Sequence, residues 1–266
     1  MRVTLFQGPE KAGTPAENME RVAEAAAHVE EGLLVCPEMF LSGYAIGREA
    51  AERLAEPVDG PSAKRAAMIA RATGTALLYG YPERGADGKV YNAAILIDRH
   101  GNTLLNYRKS HLFTDLDRSM FQEGDGHSPV VELDGFKVGV LICYDVEFPE
   151  AVRSLALAGA DLVVVPTALM QPYDVIARTI VPARAVENQV FIAYADHCGV
   201  EADLDYCGLS CIVGPDGVDL ARAGRGEEVI SAELDRDLLE RTRPLYTYLA
   251  DRRPELYAAL MHGGRR

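Results

Sequence analysis

The chain has 266 residues, of which 48% are hydrophobic, and it carries a formal net charge of −13 at pH 7. This length and composition suffice for a substantial hydrophobic core. The negative charge argues against a general affinity for nucleic acid or anionic membrane surfaces. No apolar stretch approaches the length of a membrane span. From the charge and the lack of a span together, we expect neither nucleic acid nor membrane as a partner.

The cysteines and the N-terminus indicate where the protein resides. The five cysteines are an odd number in a large chain, and several lie in apolar runs. This pattern favours reduced thiols and a cytoplasmic location. Residues 1–7 alternate like a strand and lack the apolar segment and cleavage site of a signal peptide.

Strand-like and helix-like segments alternate from end to end. Short apolar or β-branched runs predict strands at residues 33–36, 75–79, 93–97, 103–107, 136–142, 162–165, 190–194 and 211–213. Helical periodicity predicts helices at residues 16–28, 62–72, 149–158 and 173–188. Turn residues at 100–102 and 214–217 are typical of hairpins. The mixture favours an α/β layered fold with large buried sheets, organised as one domain over residues 1–266.

Three of the predicted strands lead directly into a chemically capable side chain. Glu38 follows the strand at 33–36, Lys109 follows the strand at 103–107, and Cys143 ends the run at 136–142. In open α/β sheets, reactive groups gather at the carboxyl ends of strands. We therefore expect these three side chains to converge.

The three side chains suit acyl transfer to water. A thiol is mostly protonated at neutral pH, so Cys143 needs a base, and a buried Glu38 would serve. Lys109 and the backbone N–H of Tyr144 would stabilise a tetrahedral oxyanion. Taken singly, each has a plainer interpretation: a buried hydrophobe for Cys143, a solvated helix start for Glu38 and a surface cation for Lys109.

The motifs around these residues resemble those of the nitrilase, or carbon–nitrogen hydrolase, superfamily. The matching segments are residues 37–44, 107–113, 139–145, 166–168, 184–189 and 214–217. They occur in the family's order over nearly the whole chain. The resemblance implies a four-layer αββα sandwich in which Glu38 is the general base, Lys109 the oxyanion stabiliser and Cys143 the nucleophile. It implies no metal and no organic cofactor.

The resemblance also implies an assembly and a substrate class. Members commonly dimerise, so we expect a homodimer or higher homo-oligomer, with the tail from about residue 240 at a subunit interface. Residues 107–121 and 165–174, the latter containing Ala168, look most like aliphatic amidases of the 5-aminopentanamidase and stereoselective amidase type. A small-molecule amide is then the substrate, hydrolysed through a thioester. The same residues leave open hydrolysis of a nitrile or an N-carbamoyl amine, and a catalytically silent interaction scaffold.

One position departs from the family pattern. Many members carry a second glutamate shortly after the lysine, four residues before an aromatic, and here that place is held by Asp117. Asp117 is predicted to have a supporting role. The alternative is a helix-surface acid bonded to its own backbone.

Two further groups are candidates for substrate contacts. Glu147, four residues after Cys143, would meet a cationic substrate tail. The alternative for Glu147 is an ion pair with Arg153 or Arg184. For Asp145, such an ion pair is the preferred interpretation. Aromatic residues at element ends are candidates to line the pocket. These are Tyr44, Tyr81, Phe113 and Tyr173.

Overall fold

The fold is an α/β sandwich, which a computed structural model describes for residues 1–8 and 14–257. The strands are β1 (Arg2–Gln7), β2 (Leu33–Val35), β3 (Ala76–Arg84), β4 (Val90–Ile97), β5 (Thr103–Arg108), β6 (Val131–Leu133), β7 (Phe136–Val140), β8 (Leu162–Pro166), β9 (Phe191–Ala195), β10 (Cys198–Glu201), β11 (Leu204–Cys207), β12 (Cys211–Val213), β13 (Asp219–Arg222) and β14 (Glu228–Glu233). The α-helices are α1 (Pro15–Ala27), α2 (Arg48–Leu54), α3 (Pro61–Thr73), α4 (Thr114–Met120), α5 (Pro149–Leu157), α6 (Val181–Asn188) and α7 (Arg236–Thr242).

Two six-stranded sheets form the centre of the molecule. One has the order β14-β1-β2-β3-β4-β5 and the other β13-β12-β9-β8-β7-β6. Side chains alternate between the two faces of each strand, so Leu33 and Val35 belong to the core shared by both sheets while Leu34 packs beneath the outer helices. Strands β2, β8 and β9 are buried on both faces, which is why they read as continuous apolar runs in the sequence.

Helices cover both outer faces and complete the four layers. Helix α1 begins at a capping box formed by Thr14 and Glu17, and it buries Met19 and Val22 in the cluster under α1 and α3. Helices α5 and α6 cover the second sheet in the same way. Burying each large aliphatic side chain stabilises the fold by about 1.5–3 kcal/mol. The predicted four-layer αββα sandwich is confirmed.

The structure corrects two predicted elements. Strand β7 ends at Val140, and a 3-10 turn (Cys143–Glu147) separates it from α5. The helix predicted over residues 173–188 is split into a π-helical turn (Ile176–Ile180) and α6. Pro182 lacks an N–H and cannot continue the regular ladder from the preceding turn, so a wider turn forms there.

Several elements were not predicted because they are short or carry mixed polarity. They are α2, α4, β6, β10, β11, β13, β14 and α7. Of the tail predicted to lie at a subunit interface, residues 258–266 are outside the described part of the chain. Within residues 1–8 and 14–257, no helix is both long enough and apolar enough to cross a bilayer.

Candidate active site

The strand topology brings Glu38 and Lys109 to the same edge of the first sheet. Strands β2 and β3 are parallel, β4 is antiparallel to β3, and β5 is antiparallel to β4. Strands β2 and β5 therefore run in the same direction, and their carboxyl ends lie on one side. The predicted convergence of these strand ends thus has a topological basis, although two strands, β3 and β4, lie between them in the sheet.

Glu38 is positioned by the close packing of its backbone against Gly80 of β3. A Cβ atom on Gly80 of β3 would lie 2.3 Å from the amide nitrogen of Met39 and 2.9 Å from the Cα atom of Glu38. Only glycine permits that contact. The chain reverses sharply here, with Met39 at φ 52°. The Glu38 carbonyl then accepts a hydrogen bond from His197 Nε2 at 2.7 Å.

Lys109 lies between two carboxylates in the protein interior. Its Nζ atom donates to Glu38 Oε1 at 2.8 Å and to Asp117 Oδ2 at 2.6 Å, and all three side chains are fully buried. Asp117 Oδ2 also accepts from the Phe113 N–H at 2.9 Å. Asp117 thus accepts from the backbone of its own segment, as the alternative interpretation expected, but it is buried and does not lie on the helix surface. Buried charges of this kind are tolerated only when they are paired and hydrogen-bonded.

The environment shifts the protonation of both Glu38 and Lys109. Burial raises the pKa of Glu38 above its ordinary value, and the attraction of Lys109 offsets only part of this shift. Burial disfavours the ammonium of Lys109, but the carboxylates of Asp117 and Glu38 outweigh it and hold the pKa of Lys109 well above its usual range. Lys109 is consequently a cation at neutral pH, while Glu38 retains a proton to higher pH than a free glutamate does.

Cys143 occupies a strained turn beyond β7. Its φ is 47°, a left-handed conformation that is uncommon for a residue with a side chain, and the residue is 8% exposed. The turn is fixed by Asp145, whose Oδ2 accepts from the Ile142 N–H at 3.1 Å. A bend of this shape turns the thiol out of the strand and toward the cluster.

Asp145 is not paired with Arg153 or Arg184, so that prediction is wrong. Its carboxylate accepts from the Tyr107 hydroxyl at 2.9 Å and from the His111 N–H at 2.9 Å, with His111 Nδ1 at 2.7 Å. Because Tyr107 and His111 flank Lys109 in the sequence, Asp145 links the lysine segment to the cysteine turn.

The Cys143 thiol lies within electrostatic range of both Glu38 and Lys109. Burial and the negative charge of Glu38 raise its pKa well above the ordinary range, and Lys109 opposes that effect. The sulfur also interacts with the Thr167 side chain and the Ala168 backbone. The free site therefore holds a neutral thiol, and attack by sulfur requires a base to take the proton.

Aromatic side chains lie beside the thiol turn. The Phe113 ring is 5.4 Å from the Tyr144 ring and 6.1 Å from the Tyr173 ring, centre to centre, and Tyr144 lies 5.0 Å from Phe148. Tyr173 is 45% exposed and marks the solvent side of this aromatic group.

The other two aromatic candidates lie outside this group of rings, and one of them, Tyr44, belongs to the buried cluster around Lys109. Tyr44 is fully buried, and its ring centre is 5.8 Å from Lys109 Nζ. Tyr81 packs in the cluster beneath α1 and α3, so its predicted place at the pocket is wrong. The prediction failed because alternate residues of β3 face opposite sides of the sheet.

Glu147 is half-buried, and its carboxylate pairs with no cation among the described residues. Arg184, one of its two predicted partners, instead donates to the main-chain carbonyls of Val146 and Glu147, at 3.1 and 2.8 Å, and to the Glu187 carboxylate at 2.9 Å. Burial raises the pKa of Glu147, while Lys109 and Arg184 partly oppose the shift. The positive charge of Lys109 thus favours the ionised form of Glu147, although the two side chains form no ion pair.

Sequence reasoning missed Asn92 and Thr167. Asn92 Nδ2 donates to Glu38 Oε1 at 2.7 Å, and the Thr167 carbonyl accepts from the Glu38 N–H at 3.3 Å. Asn92 is a polar residue inside the apolar run of β4, and such an interruption signals a buried polar contact. Thr167 lies in the matching segment 166–168, but its residue type gave no reason to single it out, because its contact with Glu38 is made by the backbone.

The cluster leaves hydrogen-bonding capacity unused. Four of its buried polar atoms have no partner within residues 1–8 and 14–257: Glu38 Oε2, Tyr44 Oη, Asn92 Oδ1 and Asp117 Oδ1. Unpaired buried polar atoms are costly and cluster at functional sites. In the same part of the chain, no group of three or more His, Cys, Asp or Glu residues is arranged to hold a metal ion.

A four-layer αββα sandwich that buries two carboxylates, a lysine and a thiol at one edge places the protein among the nitrilase-type hydrolases. The model of the family described as carbon–nitrogen hydrolase matches residues 2–244. The chain belongs to the carbon–nitrogen hydrolase family and is an enzyme of that class.

Individual relatives span nearly the whole chain. A Pseudomonas protegens protein named "Hydrolase in pqqF 5'region" is 57% identical over 97% of this chain and 90% of its own length. An (R)-stereoselective amidase from Pseudomonas sp. is 39% identical over 95% of this chain and 92% of its own. The NitN amidase of Nesterenkonia sp. AN1 is 34% identical, with a TM-score of 0.84 over 98% of this chain and 99% of that one. In a glutamate-to-glutamine variant of that amidase, acrylamide has added to the active site cysteine.

Proposed function

We propose that the protein is a cysteine-dependent amidohydrolase that converts a small aliphatic primary amide to a carboxylate and ammonia. The observation that carries the proposal is the burial of Lys109 between Glu38 and Asp117, within electrostatic range of a neutral Cys143 thiol. A structural role explains this arrangement poorly, since apolar residues of similar size would be as stabilising there.

The first half of the reaction forms a thioester. Glu38 accepts the thiol proton as Cys143 Sγ bonds to the amide carbon, and the carbonyl oxygen becomes an oxyanion beside Lys109 and the Tyr144 N–H. Glu38 then passes the proton to the amide nitrogen, the C–N bond breaks, and ammonia leaves. Water attacks the thioester with Glu38 again as the base, releasing the carboxylate and restoring the thiol.

The relatives support the reaction class. Both the stereoselective amidase and the Nesterenkonia protein are named as amidases, and a cysteine is the reactive residue in the latter. The experiment that tests the proposal compares time-resolved ammonia release from 5-aminopentanamide, an aliphatic nitrile and an N-carbamoyl amine. We expect the amide to be turned over fastest. Preference for the nitrile or the carbamoyl amine would overturn the choice of substrate while leaving the thioester route intact.

The acid limb of the pH profile follows from the position of Glu38. The base must be deprotonated, and burial raises its pKa, so kcat/KM should fall on acidification at a pH above that of a free glutamate, about 4.3. The apparent pKa belongs to the coupled cluster of Glu38, Lys109 and Asp117. The rate of Cys143 alkylation by iodoacetamide should show the same limb. A limb centred at or below about 4.3, in protein shown to remain folded, contradicts this assignment of the base.

We further propose that the preferred amide carries a terminal amino group, as 5-aminopentanamide does. Glu147 supports this idea because it is half-buried four residues after the nucleophile and has no ion-pair partner among the described residues. The nearby rings of Phe113, Tyr144 and Tyr173 offer apolar surface to an aliphatic chain and negative ring faces to an ammonium group.

Replacing Glu147 with glutamine should raise KM for 5-aminopentanamide by about tenfold, the size expected for one lost charge-assisted contact. KM for pentanamide should stay within about twofold, because a neutral amide makes no such contact. Steady-state kinetics on both substrates measure the difference. The matched control is Glu150→Gln, which removes the same charge from an exposed position of α5. An equal change in KM for both substrates would remove the role assigned to Glu147.

A further inference from the structure

The segment that follows β8 touches both the proposed nucleophile and the proposed base. Thr167 and Ala168 interact with the Cys143 sulfur. The Thr167 carbonyl accepts from the Glu38 N–H at 3.3 Å. A shift of residues 167–169 would therefore alter contacts with both groups.

Strand β9 and the residue after it hold this segment. The Thr167 N–H donates to the Ala195 carbonyl at 2.8 Å, and the Leu169 N–H donates to Asp196 Oδ1 at 2.8 Å. The first contact continues the pairing of two neighbouring strands. The second contact is made by the side chain of Asp196, which lies beyond the end of β9. Substitution of Asp196 can therefore remove this contact while β8 and β9 stay paired.

Asp196 is itself fixed by a fully buried network. Its N–H donates to Ser210 Oγ at 2.9 Å, and the Ser210 N–H donates to Gln7 Oε1 at 2.9 Å. The side chain is completely buried, and Oδ2 has no hydrogen-bond partner in the described ranges. Burial raises the pKa of Asp196 above its ordinary value, although hydrogen bonding from the backbone, the Leu169 N–H foremost, opposes the shift.

The next residue, His197, contacts the backbone of the proposed base. His197 Nε2 donates to the Glu38 carbonyl at 2.7 Å, and burial lowers the pKa of His197 to about 4, so its ring is neutral at neutral pH. Asp196 thus contacts the backbone of the segment beside the thiol, and His197 contacts the backbone of the proposed base, Glu38. None of the reaction steps uses either side chain as a proton carrier.

We propose that Asp196 is a positioning residue that acts as a hydrogen-bond acceptor, holding the Leu169 N–H and so fixing residues 167–169 against Cys143 and Glu38. The inference rests on the proposed function. It assigns a role to a buried acid that takes no part in the reaction steps. That role needs only an acceptor oxygen, so asparagine, which keeps this oxygen and nearly the same shape, should replace it.

The test compares Asp196→Asn with Asp196→Ala. We expect the asparagine variant to keep kcat within about threefold of the parent, with an unchanged pH profile of kcat/KM. The alanine variant should lose at least about tenfold in kcat while KM changes by less than about threefold, because the segment aligns the reacting groups rather than the substrate tail. Alkylation of Cys143 by iodoacetamide should slow in the alanine variant and not in the asparagine variant.

Controls separate positioning from general destabilisation. Asp161 is also buried, but it precedes β8 at the opposite end from Cys143, and it pairs with Arg236 and Arg243. Asp161→Ala should lower the midpoint of thermal unfolding yet leave kcat unchanged at temperatures where the variant is folded. Ser210→Ala, which removes only the hydroxyl that holds Asp196, should show a smaller loss of kcat with the same unchanged KM.

Three results would overturn the inference: an asparagine variant as inactive as the alanine variant, an alanine variant with parental kcat, or a loss of kcat in Asp161→Ala that matches the loss in Asp196→Ala. If Asp196→Ala does not fold, the asparagine and Ser210→Ala variants carry the test alone, and parental kcat in Ser210→Ala then overturns it. The alkylation rates need no substrate. They test Asp196 even if no amide proves to be hydrolysed, and so distinguish failure of the inference from failure of the proposed function.

Discussion

Replacing Cys143 with alanine should lower kcat for amide hydrolysis by about 10⁵-fold or more, the scale seen when a covalent nucleophile is removed. The fold should survive, because the thiol is a small group at the end of a turn whose backbone is held by Asp145. Ammonia release measures the loss. Hydroxylamine, which competes with water for a thioester, should divert product to a hydroxamate in the parent protein and not in the variant.

The matched control is Cys211→Ala on β12. Cys211 is a buried free thiol, like Cys143, but its charged neighbours are Arg222, Asp219 and Asp196 and not the cluster of Glu38, Lys109 and Asp117. This substitution should cost some stability and leave kcat unchanged. If Cys143→Ala kept full turnover, the covalent route would be wrong, and an equal loss in both variants would point to damage of the fold.

Replacing Lys109 with methionine should have a double effect. It removes the only cation that contacts Glu38 and Asp117 in the described part of the chain, leaving two buried carboxylates facing each other. Breaking such a buried pair costs about 3–5 kcal/mol, which urea unfolding measures. It also removes an oxyanion donor, which should lower kcat by about 10²–10³-fold in the protein that remains folded.

A second substitution separates the two effects. In the double variant Lys109→Met and Asp117→Asn, one of the facing carboxylates is gone, so part of the lost stability should return while activity does not. Lys64→Met, on an exposed position of α3, controls for the loss of a cation and should change stability by no more than about 0.5 kcal/mol. Parental activity in Lys109→Met would refute the role of the lysine in stabilising the oxyanion.

Much of the fold was predictable because burial leaves a strong periodic pattern. Strands β2 and β8 are apolar on both faces, and α1 and α3 have clear helical periodicity with proline at their first turns. The hairpin β10–β11 was not predictable, since Val200 and Asp205 are exposed and the pattern is weak. That hairpin nevertheless reaches the site, because Glu201 accepts from the backbone N–H of Tyr44.

The sequence by itself determined the layered α/β class, the family resemblance and the chemically capable residues Glu38, Lys109 and Cys143, because each follows a short run that the sequence predicts as a strand. Only the tertiary structure decided how these residues are arranged. The ion pairs of Lys109 with Glu38 and Asp117, the link from Asp145 to Tyr107 and His111, and the anchors at Asp196 and His197 join residues distant in sequence. Local patterns record burial and backbone preference, whereas the partner of a buried charge depends on which strand ends the sheets bring together.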